Sequence, residues 1–165
     1  MAAFEYRQAQ EIRDVLHRHN CRYLFIGKSG AILLGFPDTT QDADLFVDRS
    51  PENCQALVLA LRELGFQLSD SHADDILRGK DFVQLKNGPF DLDLVFAPDG
   101  IERFEDAWGR RVEVEGFPVC HIDDIIASKM AAKRAKDLES LPRLQSFRQY
   151  LKTKRADQDK PDAIC

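Results

Sequence analysis

The chain has 165 residues, of which 44% are hydrophobic and 31% are charged, and its formal net charge at pH 7 is −5. This length and composition are typical of one globular domain with a substantial core. They argue against a membrane protein, because no apolar run approaches the roughly 20 residues that span a bilayer. The charged N-terminus lacks the apolar stretch of a signal peptide, so a cytoplasmic location is expected.

The charge is unevenly distributed along the chain. Residues 1–121 contain 13 Lys and Arg against 21 Asp and Glu, whereas residues 122–155 contain 9 basic and 4 acidic residues. An acidic body with a basic C-terminal segment can attract a polyanion to one side of the molecule. A solvated helix face rich in lysine and arginine would produce the same pattern, so both interpretations stand.

The first half of the chain alternates helical and strand patterns. Apolar residues at approximate helical spacing predict a helix over residues 4–19. Ser50 followed by Pro51 is a typical helix start. The further predicted elements are a strand over 22–27, a short helix over 28–35, a turn over 36–41, a strand over 42–47, a helix over 50–66 and a polar loop over 69–75.

The second half contains two predicted hairpins followed by helices. The Asn87–Gly88 pair is a strong hairpin signal, and Gly116 marks a second turn. Pro142 is expected to interrupt the last helical pattern. The predicted elements are strands over 81–86 and 90–96, a hairpin over 111–122, helices over 123–141 and 143–155, and a disordered tail over 156–165. Residues 1–155 are thus expected to form one domain with a basic helical C-terminal part over 122–155.

Two pairs of aspartates interrupt apolar strands. Asp42 and Asp44 lie one residue apart in DADLFV, and Asp91 and Asp93 repeat this spacing in DLDLVF. Since successive strand side chains point to opposite faces, the two carboxylates of each pair share a face. Like charges held together require a cation, and Mg²⁺ binds carboxylate and phosphate oxygens. One aspartate of the second pair would complete a three-carboxylate site, although an acidic strand face alone also fits the alternation.

The Gly27–Gly30 turn follows the first predicted strand and opens a short helix. The amides of such a turn form a natural cradle for phosphate, to which Ser29 adds a hydroxyl and Lys28 a positive charge. Many strand-to-helix turns contain glycine and serine for steric reasons. This turn therefore indicates phosphate binding only in combination with the neighbouring aspartate pairs.

Together these features resemble the nucleotidyltransferase (DNA polymerase β-like) superfamily, which has a Gly/Ser turn, a short helix, Asp-x-Asp on a strand and a third Asp on a later strand. Over residues 23–141 the chain looks closest to small bacterial members of the AbiEii-toxin type. The resemblance implies an α+β fold, with a mixed β-sheet flanked by helices and with C-terminal helices. It also implies transfer of a nucleoside monophosphate from an NTP such as ATP to a hydroxyl, with Mg²⁺ or Mn²⁺ as cofactor.

The resemblance also implies roles for individual residues. Asp42, Asp44 and Asp93 fall on the metal-binding and catalytic carboxylates, the last as the base, with Asp91 as the alternative third carboxylate. Nucleotide binding is expected of Gly27, Lys28, Ser29, Thr40 and Lys129. Arg134, Lys136 and Asp137 fall on the family positions that follow Lys129, an arginine and then a Lys-Asp pair along one helix.

Two positions depart from the family pattern. Lys28 stands where a second glycine is usual, and Asp38 stands where an arginine is usual. These departures motivate a second hypothesis, a weakly active or inactive binding module that acts as a toxin–antitoxin or regulatory partner. A plain structural domain with solvated aspartates is a third. The acceptor also stays open at this point between RNA such as a tRNA end, a protein and a small molecule.

Overall fold

The computed structural model describes residues 3–159 and centres on one six-stranded mixed sheet. Its strands are β1 (Tyr23–Phe25), β2 (Asp42–Val47), β3 (Phe82–Leu85), β4 (Asp91–Val95), β5 (Val112–Val114) and β6 (Phe117–Val119). They lie in the order β3-β4-β2-β1-β6-β5. β2 runs parallel to β4 and antiparallel to β1, which is itself parallel to β6. The outer strands β3 and β5 pair antiparallel with β4 and β6.

Helices cover both faces of this sheet. They are α1 (Tyr6–Arg18), α2 (Gly27–Leu33), α3 (Pro51–Glu63), α4 (Asp70–Leu77), α5 (Phe104–Arg110), α6 (Ile122–Ala132) and α7 (Ala135–Asp159). Alternate strand side chains serve opposite faces, so Tyr23 and Phe25 pack in one core with α1 and α3. Leu24 and Phe46 pack in a second core with α5, α6 and α7. The predicted α+β architecture, a mixed sheet flanked by helices, is confirmed.

Several local signals act as the sequence predicts. Ser50 caps α3, because its Oγ accepts the backbone N–H of Asn53 at 3.3 Å. Glu115 and Gly116, with φ of 50° and 81°, form the two-residue turn between β5 and β6. The strands on either side of the Asn87–Gly88 pair form an antiparallel hairpin.

The expectation of a polar loop at residues 69–75 is wrong, since residues 70–77 form α4. Ser69 caps this helix by accepting the backbone N–H of His72 at 3.0 Å. Ala73 and Ile76, spaced three residues apart, are buried. A cap and one apolar pair on a single face therefore outweigh the polar composition of the segment.

The C-terminal helices break at Lys133 and not at Pro142. Lys133 has a left-handed backbone with φ of 55° and ends α6, whereas α7 continues through the proline. Leu141, Leu144 and Phe147, which flank Pro142, are buried in the core. Their packing outweighs the backbone hydrogen bond that proline removes from the helix.

The far end of α7 reaches into the segment for which the sequence predicts disorder. Residues 156–159 are helical, and the remainder of that tail, 160–165, lies outside the described residues. Within residues 3–159, no helix combines the length and apolar character that crossing a membrane requires.

Asn53 joins α3 to the ends of β1 and β2. Its side chain accepts the N–H of Arg22 at 2.7 Å and donates to the carbonyl oxygens of Arg22 and Asp48 at 3.0 and 2.8 Å. We expect Asn53→Ala to lower the free energy of unfolding by about 2–4 kcal/mol, because three backbone groups lose their partner. Urea denaturation measures this change. Gln55→Ala, at an exposed position of the same helix, is the control and should change it by less than about 0.5 kcal/mol; equal losses would contradict this role of Asn53.

Candidate active site

The parallel register of β2 and β4 brings the two aspartate pairs side by side. Asp42 pairs with Asp91, and Asp44 pairs with Asp93. A cavity of about 550 Å³ lies against these strands and is lined by Asp42, Asp44 and Asp93. Asp91 is not among the lining residues. Of the two alternatives for a third carboxylate, Asp93 is therefore the one that the fold places in the cavity.

The carboxylates of the cavity perturb one another. Asp93 is 8% exposed, and its Oδ1 has no hydrogen-bond partner among the described residues. Burial, then the charge of Asp93 and a hydrogen bond with its carboxyl group, raises the pKa of Asp44 to about 8. Burial and then the charge of Asp42 raise the pKa of Asp93. Two acidic groups that share a hydrogen bond need a proton or another cation between them.

The turn after β1 packs directly against Asp44. Gly27 has φ of +65°, and a Cβ at this position would lie 2.5 Å from Oδ2 of Asp44, so only glycine fits. The backbone N–H of Ile26 donates to the carbonyl oxygen of Asp44 at 2.9 Å. The Gly27 turn and the carboxylates therefore form one continuous wall of the cavity, as a phosphate-binding turn would require.

Ser29 is buried beneath this wall and links the turn to β2. It is 3% exposed, and its Oγ donates to the carbonyl oxygen of Ile26 and accepts the N–H of Asp44, both at 3.0 Å. It is not among the residues that line the cavity, so the expected phosphate-facing hydroxyl is instead used to hold β2. Thr40 does line the cavity, and its Oγ1 donates to the carbonyl oxygen of Asp42 at 3.3 Å.

Cationic side chains face the carboxylates from the junction of α6 and α7. Lys129, Arg134 and Lys136 line the same cavity. Asp137 is fully buried and accepts from Lys129 Nζ at 3.3 Å and from Arg134 Nε at 2.7 Å. Burial alone would raise the pKa of Asp137, but the hydrogen bond from Arg134 and the nearby ammonium of Lys129 lower it below its usual value. Asp137 therefore stays ionised and fixes two cations at the cavity wall.

Sequence reasoning found only part of this cationic wall. It matched Lys129, Arg134 and Lys136 to successive positions of the family motif, but it predicted nucleotide binding for Lys129 alone and placed all three on one uninterrupted helix. The break at Lys133 decides where they lie, and a lysine with a left-handed backbone leaves no clear signal in a single sequence. Asp81 and Asp99 also line the cavity, and no motif pointed to them.

The two residues that depart from the family pattern contact each other. Lys28 Nζ lies 3.1 Å from Asp38 Oδ2, and Arg143 Nη1 lies 3.2 Å from the same oxygen. Lys28 also lines the cavity. The acid at position 38 is therefore half-buried and paired with two cations, and it is not among the cavity-lining residues.

The donor set of the cavity suits a hard divalent cation. It offers three carboxylates from β2 and β4, one of which has a buried oxygen without a partner among the described residues, and Mg²⁺ prefers oxygen ligands of this kind. In the described part of the chain, no three His, Cys, Asp or Glu side chains are already arranged as a metal-binding cluster. The fit is therefore one of chemistry and placement, and binding would require the carboxylates to converge by side-chain rotation.

The raised pKa of Asp44 predicts a pH-dependent stability in protein treated with EDTA. Its pKa rises from 3.8 in the unfolded chain to about 8 in the folded one, so the folded state binds more protons between these values. The contribution of Asp44 to stability is therefore largest at low pH and falls as pH rises towards 8, by up to about 1.4 kcal/mol per pH unit. Urea denaturation at pH values between 5 and 8 measures this dependence. The free energy of unfolding should change less with pH in Asp44→Asn than in the wild type. Asp91→Asn, outside the cavity, should keep the wild-type slope; a wild-type slope in Asp44→Asn would refute the assignment.

No protein-family model and no curated protein matches the sequence. Among solved structures, the chain is similar to the lincosamide antibiotic adenylyltransferase LnuA in its lincomycin-bound crystal structure. The match covers 88% of this chain and 99% of that chain, with a TM-score of 0.62 and 14% sequence identity. Particular closeness to AbiEii-type toxins is not shown. At this identity the similarity concerns the fold, and the chain has a nucleotidyltransferase-like fold.

Proposed function

We propose that the protein is a nucleotidyltransferase, which moves a nucleoside monophosphate from an NTP to a hydroxyl acceptor. The observation that supports this most directly is one cavity lined both by three carboxylates from β2 and β4 and by cations from α2, α6 and α7. A metal–triphosphate complex needs both, because the carboxylates bind the metal while lysine and arginine contact phosphate oxygens. The fold shared with an adenylyltransferase supports the same reaction class.

Asp42, Asp44 and Asp93 would hold Mg²⁺ or Mn²⁺ in this proposal. When bound, such ions neutralise phosphate charge and lower the pKa of an attacking hydroxyl. Asp93 takes the third position because it lines the cavity and has a buried oxygen without a hydrogen-bond partner in the described part of the chain, whereas Asp91 is not among the lining residues. Repulsion within the cluster favours the binding of any cation that can replace the shared proton.

The chain itself supplies a base and a positioned phosphate site. Asp93 is the group proposed to accept the proton of the acceptor hydroxyl, and its raised pKa brings it closer to neutral pH, where general bases work best. Gly27, Lys28 and Thr40 would contact the phosphates from one wall. Lys129 would contact them from another, held in place by Asp137. Catalysis then comes mainly from positioning and from charges arranged before the reaction.

The acceptor in this proposal is a hydroxyl on a small molecule, an RNA such as a tRNA end, or a protein. The similarity in fold to the lincosamide antibiotic adenylyltransferase LnuA supports a small molecule. The basic residues of α7 support an RNA, since lysine and arginine bind phosphate backbones. A cytoplasmic location, where nucleoside triphosphates are available, completes the proposal.

Substitution of single carboxylates tests the reaction. With each labelled NTP, Mg²⁺ and pools of tRNA, protein or small hydroxyl acceptors, we expect label transfer by the wild type. Asp44→Asn and Asp93→Asn should each reduce the rate at least about 100-fold, because each removes a charge from the reacting centre. Asp91→Asn is the matched control on the same strand and should retain most activity. A larger loss in Asp91→Asn than in Asp93→Asn would reverse the assignment of the third carboxylate.

The absence of both transfer and nucleotide binding in a folded wild-type protein would reject the enzyme proposal. Tight association with a partner protein under those conditions would favour the binding module instead.

Metal binding should release protons from the carboxylate cluster. At pH 7 the raised pKa of Asp44 means that Asp44 and Asp93 share a proton, which a divalent cation must displace. Titration calorimetry with Mg²⁺ or Mn²⁺ in buffers of different ionisation enthalpy measures this release. We expect about one proton per metal-bound protein for the wild type and close to none for Asp44→Asn. Metal binding by the wild type without proton release would contradict the proposed exchange of proton for metal.

A further inference from the structure

We propose that Arg143 is a positioning residue, which neutralises Asp38 and so keeps Lys28 available for the phosphates of the nucleotide. The inference rests on the proposed function, since Lys28 lines the same cavity. It assigns a role to a residue of α7 that is not among the residues lining this cavity. It also explains how the chain tolerates an acid at position 38 beside a phosphate site.

The carboxylate of Asp38 is shared among three donors. Its Oδ1 accepts the backbone N–H of Thr39 at 2.7 Å. Its Oδ2 contacts both Lys28 Nζ, at 3.1 Å, and Arg143 Nη1, at 3.2 Å. The Thr39 N–H, and then the neighbouring Lys28 and Arg143, lower the pKa of Asp38 although partial burial opposes them. Asp38 is therefore ionised, and the trio of side chains carries a net positive charge.

Arg143 is held independently of Lys28. Its Nη2 donates to the carbonyl oxygen of Pro37 at 3.0 Å. Its guanidinium also lies 5.1 Å from the centre of the Phe36 ring, within the range of a cation–π contact. These contacts keep Arg143 beside Asp38 when the lysine moves away.

Because Lys28 and Arg143 contact the same oxygen of Asp38, the release of Lys28 costs little free energy. When Lys28 turns towards a phosphate, Asp38 keeps the guanidinium of Arg143 and the N–H of Thr39, so no acid is left unpaired. Without Arg143, the same movement would break the only side-chain ion pair that Asp38 would still have within residues 3–159. An exposed ion pair of this kind corresponds to a change of up to about fivefold in a dissociation constant.

The test measures the affinity for inorganic tripolyphosphate, the group that all NTPs share, by titration calorimetry in the presence of Mg²⁺. We expect Arg143→Met to weaken binding by about three- to fivefold. Arg143→Lys, which keeps the charge, should bind nearly as the wild type does. Arg148→Met removes one charge from the same helix, where Arg148 contacts Asp123, and should leave the affinity unchanged.

A double-mutant cycle separates positioning from a merely structural effect. In the double variant Asp38→Asn with Arg143→Met, Lys28 is no longer held, so affinity should return to the wild-type value. In a Lys28→Met background, Arg143→Met should have no further effect. Wild-type affinity in Arg143→Met, or a loss that persists in the Asp38→Asn background, would overturn the inference while leaving the proposed function intact. A folded wild-type protein that fails to bind tripolyphosphate would overturn both.

Discussion

The parallel pairing of β2 with β4 is the constraint on which the candidate site depends. It sets Asp44 beside Asp93 and Asp42 beside Asp91 on neighbouring strands of one sheet. Carboxylates this close cannot all be ionised without a counter-charge. Burial and this repulsion raise the pKa values of Asp44 and Asp93. These aspartates do not stabilise the fold, because buried like charges repel one another. The placement of these aspartates is therefore best explained by a function, such as the binding of a cation.

The surrounding elements supply the missing positive charge from different parts of the chain. The junction of α6 and α7 brings Lys129 and Arg134 to the cavity, and the buried carboxylate of Asp137 fixes both. The turn at Gly27, which packs directly against Asp44, brings Lys28 to the same cavity. One cavity thus contains both carboxylates and cations, an arrangement that suits a metal and a polyphosphate together.

Local signals predicted much of this fold because they act over a few residues. The cap at Ser50, the turn at Gly116 and the alternation in β2 each depend on neighbours in sequence, and each is present in the structure. The errors at α4 and at Pro142 have a different origin. There, burial of apolar side chains against distant elements overrides a local preference for a loop or a helix end.

The sequence by itself determined that each aspartate pair shares a strand face, since that follows from the two-residue period of a strand. It also placed Gly27 in a turn between a strand and a short helix, whereas the contact of this turn with Asp44 is visible only in the folded chain. Only the tertiary structure decided that Asp93 and not Asp91 enters the cavity, and that Ser29 points inward to β2. It alone joined Asp38 to Arg143, 105 residues away. The reason is physical: periodicity is a property of one segment, whereas the neighbours of a side chain come from segments that only folding brings together.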